Sequence, residues 1–115
     1  MHEIGIANSI IEAGQTEAAR VAGSKLVRVG IRIGALAGVD CDALRFALTA
    51  LTQGTELDDV DFEIQSCPRR NRCLDCDEVF VTALYSDPCS RCGSETSVLV
   101  GGEELDLAYV EVEEP

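Results

Sequence analysis

Apolar residues recur along the first part of the chain at helical spacing. Ile4, Ala7, Ile11, Ala18 and Val21 share one side, with Glu12, Gln15 and Glu17 elsewhere. This spacing predicts an amphipathic helix from residue 4 to about residue 21, starting directly after Met1-His2-Glu3. Gly14 weakens its middle by up to ~1 kcal/mol relative to alanine, and Gly23-Ser24 ends it. From Lys25 to Ile33 the period changes to two. Val27, Val29, Ile31 and Ile33 alternate with Arg28, Gly30 and Arg32, the mark of a half-buried strand. A turn through Gly34, Gly38 and Asp40 leads into a second helix, which Asp40 or Asp42 can cap. Its stripe is Leu44, Ala47, Leu48 and Leu51, and Gly54 stops it. Val60, Phe62 and Ile64 then alternate with Asp61, Glu63 and Gln65 in another strand. After Gly101-Gly102, Leu105 to Val112 reads as a final strand with both faces fairly apolar, as in a strand covered or paired on two sides.

Between the last two strands lies a different kind of segment. Cys73-Leu-Asp-Cys76 and Cys89-Ser-Arg-Cys92 are two CxxC pairs with twelve residues between them. Each knuckle turns the chain sharply enough to aim two thiolates at one point. Four thiolates then fill a tetrahedral Zn(II) with no open position, which marks a structural rather than a catalytic site. Gly93 follows the second knuckle and Asp77 the first, where a left-handed residue is often needed. A redox pair would not explain why the motif occurs twice. Cys41 and Cys67 are left without a role. The predicted fold class is therefore α+β: a small, mostly antiparallel sheet with two helices, plus a zinc-ribbon-like insertion carrying the two knuckles. Residues 1–66, completed by the C-terminal strand 99–115, form the α+β domain, and residues 67–98 form the zinc-binding insertion.

Composition narrows the function. The chain has 115 residues, a formal net charge of −12, 4% aromatics and no Trp. Its core must rest on Ile, Val, Leu and Ala. So acidic a balance argues against broad nucleic-acid binding, which needs clustered cations to displace counterions. Arg69, Arg70, Arg72 and Arg91 gather near the knuckles, a weak basic signal beside an acidic body. No stretch approaches the ~20 apolar residues of a membrane helix. The first residues lack the basic region of a secretory signal, so a cytoplasmic location is expected.

His2 is the only histidine. A terminal histidine is ordinarily a plain surface residue. Here an α-amine, a backbone amide and an imidazole stand in adjacent positions, able to close two fused chelate rings around a tetragonal ion such as Ni(II) or Cu(II).

Met1-His2-Glu3, the Ile33-Gly34-Ala35-Leu36-Ala37-Gly38-Val39 turn, Gly54-Thr55, the paired knuckles and Gly102-Glu103-Glu104-Leu105 occur in this order. Together they resemble the HypA family of hydrogenase nickel-incorporation proteins along the whole chain. The resemblance implies a nickel metallochaperone, not an enzyme. It implies Ni(2+) as transient cargo at Met1, His2 and Glu3, and structural Zn(2+) at Cys73, Cys76, Cys89 and Cys92. It further implies a HypB-type GTPase and a hydrogenase large-subunit precursor as partners, service to urease in some organisms, and self-association. Gly5 stands where many relatives have serine, and Ala37 replaces the serine of the Gly-x-Leu-Ser-Gly turn. Cys67 occupies a position that is usually not cysteine. None of these touches a proposed ligand. The competing readings are a zinc-ribbon nucleic-acid-binding or transcription-associated module and a zinc hydrolase. The second needs an open metal position that four cysteines do not leave.

Overall fold

A computed structural model of the chain describes residues 2–84 and 86–115. Its elements are α1 (Glu3–Ala18), β1 (Lys25–Gly34), α2 (Cys41–Thr52), β2 (Asp61–Cys67), β3 (Arg70–Cys73), β4 (Val79–Val81), β5 (Ser97–Gly101) and β6 (Leu105–Glu113). They make two three-stranded sheets, ordered β2-β1-β6 and β4-β3-β5. The chain divides into two compact units. One comprises Met1–Arg32, Gly38–Gln65 and Asp106–Pro115; the other comprises Ile33–Ala37 and Ser66–Leu105.

In the first unit α1 and α2 pack on each other. The core joins Ala7, Ile10 and Ala18 of α1 to Leu26, Val29 and Ile31 of β1 and to Leu44, Ala47 and Leu48 of α2. Val29, Ile31 and Leu44 are fully enclosed, each stabilising the fold by about 1.5–3 kcal/mol. The buried stripe of α1 differs from the predicted one. Ile10 and Gly14 are buried, whereas Ile4 and Val21 are exposed, and the helix ends at Ala18. Gly14 is the reason. A Cβ there would lie 3.1 Å from Val29 Cγ2, so the glycine lets the helix backbone approach β1 closely. Helix α2 is held at its start by Asp40, whose Oδ1 accepts from the amides of Asp42 and Ala43 at 3.1 Å each. Leu51, predicted for its buried stripe, is exposed.

On the polar side of β1, Arg28 pairs with Asp61 of β2 at 3.0 Å and with Glu111 of β6 at 3.2 Å. Arg32 grips both oxygens of Asp106, at 2.9 and 2.7 Å. These pairs tie both neighbours to the central strand, although exposed pairs of this kind each contribute only about 0–1 kcal/mol. Strand β6 departs from expectation. It is an edge strand with no buried residue: Leu107, Tyr109, Val110 and Val112 are half-buried, whereas Leu105 and Ala108 are exposed.

The second unit contains structure that periodicity did not predict. Between the two knuckles and around them, β3 pairs antiparallel with β4 and β5. Asn71 stands opposite Phe80 on one side and Leu99 on the other. Phe80 packs with Cys73 and Cys89 in a small core of its own, with Cys76 against it. The segment Ile33–Ala37 is stitched into this unit by main-chain bonds. The amides of Gly34, Ala35 and Leu36 donate to Glu104, Cys67 and Gly102 at 2.7–2.9 Å.

Candidate functional site

The two CxxC segments fold in matching ways. In the first, Cys73 Sγ accepts from the amides of Asp75 and Cys76, both at 3.4 Å, and Asp77 N–H donates to Cys73 O at 3.0 Å. In the second, Cys89 Sγ accepts from Arg91 and Cys92 at 3.4 and 3.5 Å, and Gly93 N–H donates to Cys89 O at 2.9 Å. Each turn closes on a left-handed residue, Asp77 (φ 67°) and Gly93 (φ 78°), the two positions that the sequence marked for it. Strand β3 delivers Cys73, and Cys73 N–H is fixed to Glu78 O at 2.8 Å. Pairing of Cys89 N–H with Ser94 O at 2.8 Å does the same for the second knuckle. The Ser94 hydroxyl also donates to Asp75, bridging the two turns.

The four sulfurs lie within 4.8 Å of one another. Cys73 and Cys92 are 3.6 Å apart, as are Cys76 and Cys89. Thiolates bound tetrahedrally at about 2.3 Å stand about 3.8 Å from each other, so the cluster has the dimensions of a closed zinc site. A disulfide would need about 2.05 Å. The electrostatics agree. Backbone donation from Cys76 leads the effects that hold the Cys73 thiol down to about 6. Donation from Cys92 likewise lowers Cys89. Cys76 receives a lowering bond from Glu78, but burial and its neighbouring thiols push it up to about 12. Cys92 is also raised, against a lowering bond from Ser94, by Cys73 first and then by burial. Without a cation, the backbone donors draw Cys73 and Cys89 toward the thiolate while Cys76 and Cys92 are pushed the other way. A dication removes that conflict.

The arginines near the knuckles are engaged locally. Arg72 pairs with Asp77 at 2.9 Å, Arg70 with Glu104 at 3.5 Å and Arg91 with Glu78 at 3.9 Å. Carboxylates therefore answer three of the four arginines that could have marked a nucleic-acid face. Cys41 is the first residue of α2 and Cys67 the last of β2; neither joins the sulfur cluster.

Of the N-terminal motif, Met1 lies outside the described residues. His2 is exposed and occupies the N-cap of α1 in extended conformation (φ −96°, ψ 102°), and its side chain makes no capping bond. Its carbonyl accepts from Ile6 N–H at 3.2 Å, the first bond of the helix. Glu3 follows half-buried, and its Oε2 accepts from the backbone amide of Asp40 at 3.1 Å. Sequence reasoning missed this contact; its only signal was an acidic residue in a helical first turn. His2 and Ile4 border an open, apolar groove of about 460 Å³, with Phe46 on the α2 side. The imidazole thus stands at an accessible rim rather than in a closed pocket.

Residues 1–112 match the family model described as hydrogenase/urease nickel incorporation, metallochaperone, hypA. The chain is 35% identical to the hydrogenase maturation factor HypA of Acidithiobacillus ferrooxidans, over 98% of this chain and all of that protein. It is 36% identical to the same factor from Geobacter metallireducens, with the same coverage. The solution structure of the Ni metallochaperone HypA from Helicobacter pylori superposes with a TM-score of 0.66 at 25% identity, covering both chains fully. A second solution structure of a HypA protein gives a TM-score of 0.69. With a family match spanning nearly its whole length and relatives above 30% identity, the chain belongs to the HypA family of nickel-incorporation metallochaperones.

Proposed function

We propose that this chain carries Ni(II) at its N-terminus and hands it on for maturation of [NiFe] hydrogenase, with urease as a second recipient class. The ligands are the Met1 amine, the His2 imidazole with its backbone nitrogen, and the backbone nitrogen of Glu3. A nitrogen-rich tetragonal set suits Ni(II) and disfavours Mg(II) or Ca(II). Cu(II) binds such a set at least as well, so choice between them rests on metal supply and partner contacts. Cys73, Cys76, Cys89 and Cys92 hold a structural zinc, and the chain performs no catalysis of its own. In this reading the unit of Met1–Arg32, Gly38–Gln65 and Asp106–Pro115 carries the nickel motif and the unit of Ile33–Ala37 and Ser66–Leu105 the zinc, so the zinc-binding part is wider than residues 67–98. Its partners are a HypB-type GTPase and the hydrogenase large-subunit precursor, in the cytoplasm, with self-association of the chain in addition.

One observation carries the nickel assignment: the sole imidazole is exposed at an uncapped helix start, while the four clustered thiols are committed elsewhere. A chaperone must release its metal, and a chain end is easily displaced. His2→Ala is expected to abolish specific Ni(II) binding while zinc content and circular dichroism persist. Residues added before Met1 convert the amine to an amide and are expected to weaken binding too. Wild-type nickel affinity in both proteins would remove the site.

A further inference from the structure

His2 lacks a side-chain cap, so something else must fix the start of α1. The residue after it does so. Glu3 reaches across 37 positions of sequence to the Asp40 amide, a tertiary contact rather than a local helical one. Asp40 Oδ1 serves the amides of Asp42 and Ala43, and Glu3 serves the amide of Asp40 itself. Two helix starts converge on one carboxylate, and both favour negative charge there.

We infer that the Glu3 carboxylate is a positioning group for the nickel motif: it latches the first turn of α1 to the Asp40 amide, holding the chain one residue from His2. This rests on the nickel reading above. Terminal residues otherwise fray, and a fraying tripeptide must be ordered before its chelate rings close. The latch supplies part of that ordering in advance, which strengthens binding without adding a ligand. With its carboxylate engaged, Glu3 meets the metal through its backbone nitrogen.

The test is nickel titration of the untagged, zinc-loaded full chain. Glu3→Ala is expected to bind nickel about five- to tenfold more weakly, the scale of one hydrogen bond, with the square-planar absorption band retained. Glu3→Gln is expected to recover most of that loss, because its amide oxygen can accept the same bond. Asp40→Pro deletes the donor at a φ of −79° that proline accommodates. It is expected to bind nickel more weakly than Asp40→Ala, which loses the α2 cap but keeps the donor. In the metal-free protein, the Asp40 amide resonance should shift and exchange faster in Glu3→Ala. Wild-type affinity in Glu3→Ala, equal loss in Glu3→Gln and Glu3→Ala, or equal affinity of the two Asp40 variants would each overturn the latch. The amide readout needs no nickel. A shifted amide with unchanged affinity therefore sinks the positioning role alone, whereas full nickel binding by His2→Ala sinks the site reading itself.

Discussion

Gly14 shows how one missing side chain decides where a helix sits. In a free helix, replacing it by alanine would gain about 1 kcal/mol. Here a new methyl meets Val29 Cγ2 at 3.1 Å, so the neighbour must move. The gain in propensity is therefore expected to vanish: Gly14→Ala should change unfolding free energy by less than about 0.5 kcal/mol, and Gly14→Val should cost about 1–3 kcal/mol by overpacking. Denaturant titration of the zinc-loaded protein measures both. A clear stabilisation by alanine would mean that α1 and β1 do not approach this closely. The same residue explains why the buried face of α1 was misread. Periodicity scores apolar side chains, and a buried glycine has none to score.

At the scale of elements, the knuckles are a sulfur cluster built by backbone geometry. Two N–H groups aim at Cys73 and two at Cys89. These are the thiols held low, while Cys76 and Cys92 are held high. A raised thiol carries its proton at pH 7 and must surrender it to bind metal. Zinc loading at pH 7 is thus expected to release protons, those of Cys76 and Cys92 among them, and to tighten as pH rises. Isothermal calorimetry in two buffers of different ionisation enthalpy measures the release. No net release would contradict the thiolate cluster. Cys73→Ser should also lower zinc content and remove amide-exchange protection from β3, β4 and β5, because Cys73 belongs both to the sulfur cluster and to that small core. Unchanged zinc stoichiometry would exclude the quartet.

Over the whole molecule, the formal charge is −12. Arg70, Arg72 and Arg91 each answer a nearby carboxylate. No mobility shift of DNA or RNA is expected at moderate salt, and a salt-sensitive shift would favour the nucleic-acid alternative. What was legible beforehand follows physical lines. The two main helices, strands β1, β2 and β6, and the sulfur quartet were legible because they rest on period and spacing, which sequence displays directly. Strands β3, β4 and β5 were not, because they are three to five residues long. Their buried residues, Asn71, Cys73 and Phe80, do not form an alternating apolar run. The Glu3–Asp40 contact was invisible for a different reason: it joins positions that only the folded chain brings together.

The bare N-cap of α1 has a consequence for how this chain can change. Serine, threonine, aspartate or asparagine at that position typically stabilises a helix by about 1 kcal/mol over a residue that cannot cap. The chain places an imidazole there that makes no capping bond. His2→Asp should therefore yield a sturdier protein with no cargo, its melting temperature rising as nickel affinity disappears. On the proposed nickel site, selection for durability and selection for delivery pull this one position in opposite directions.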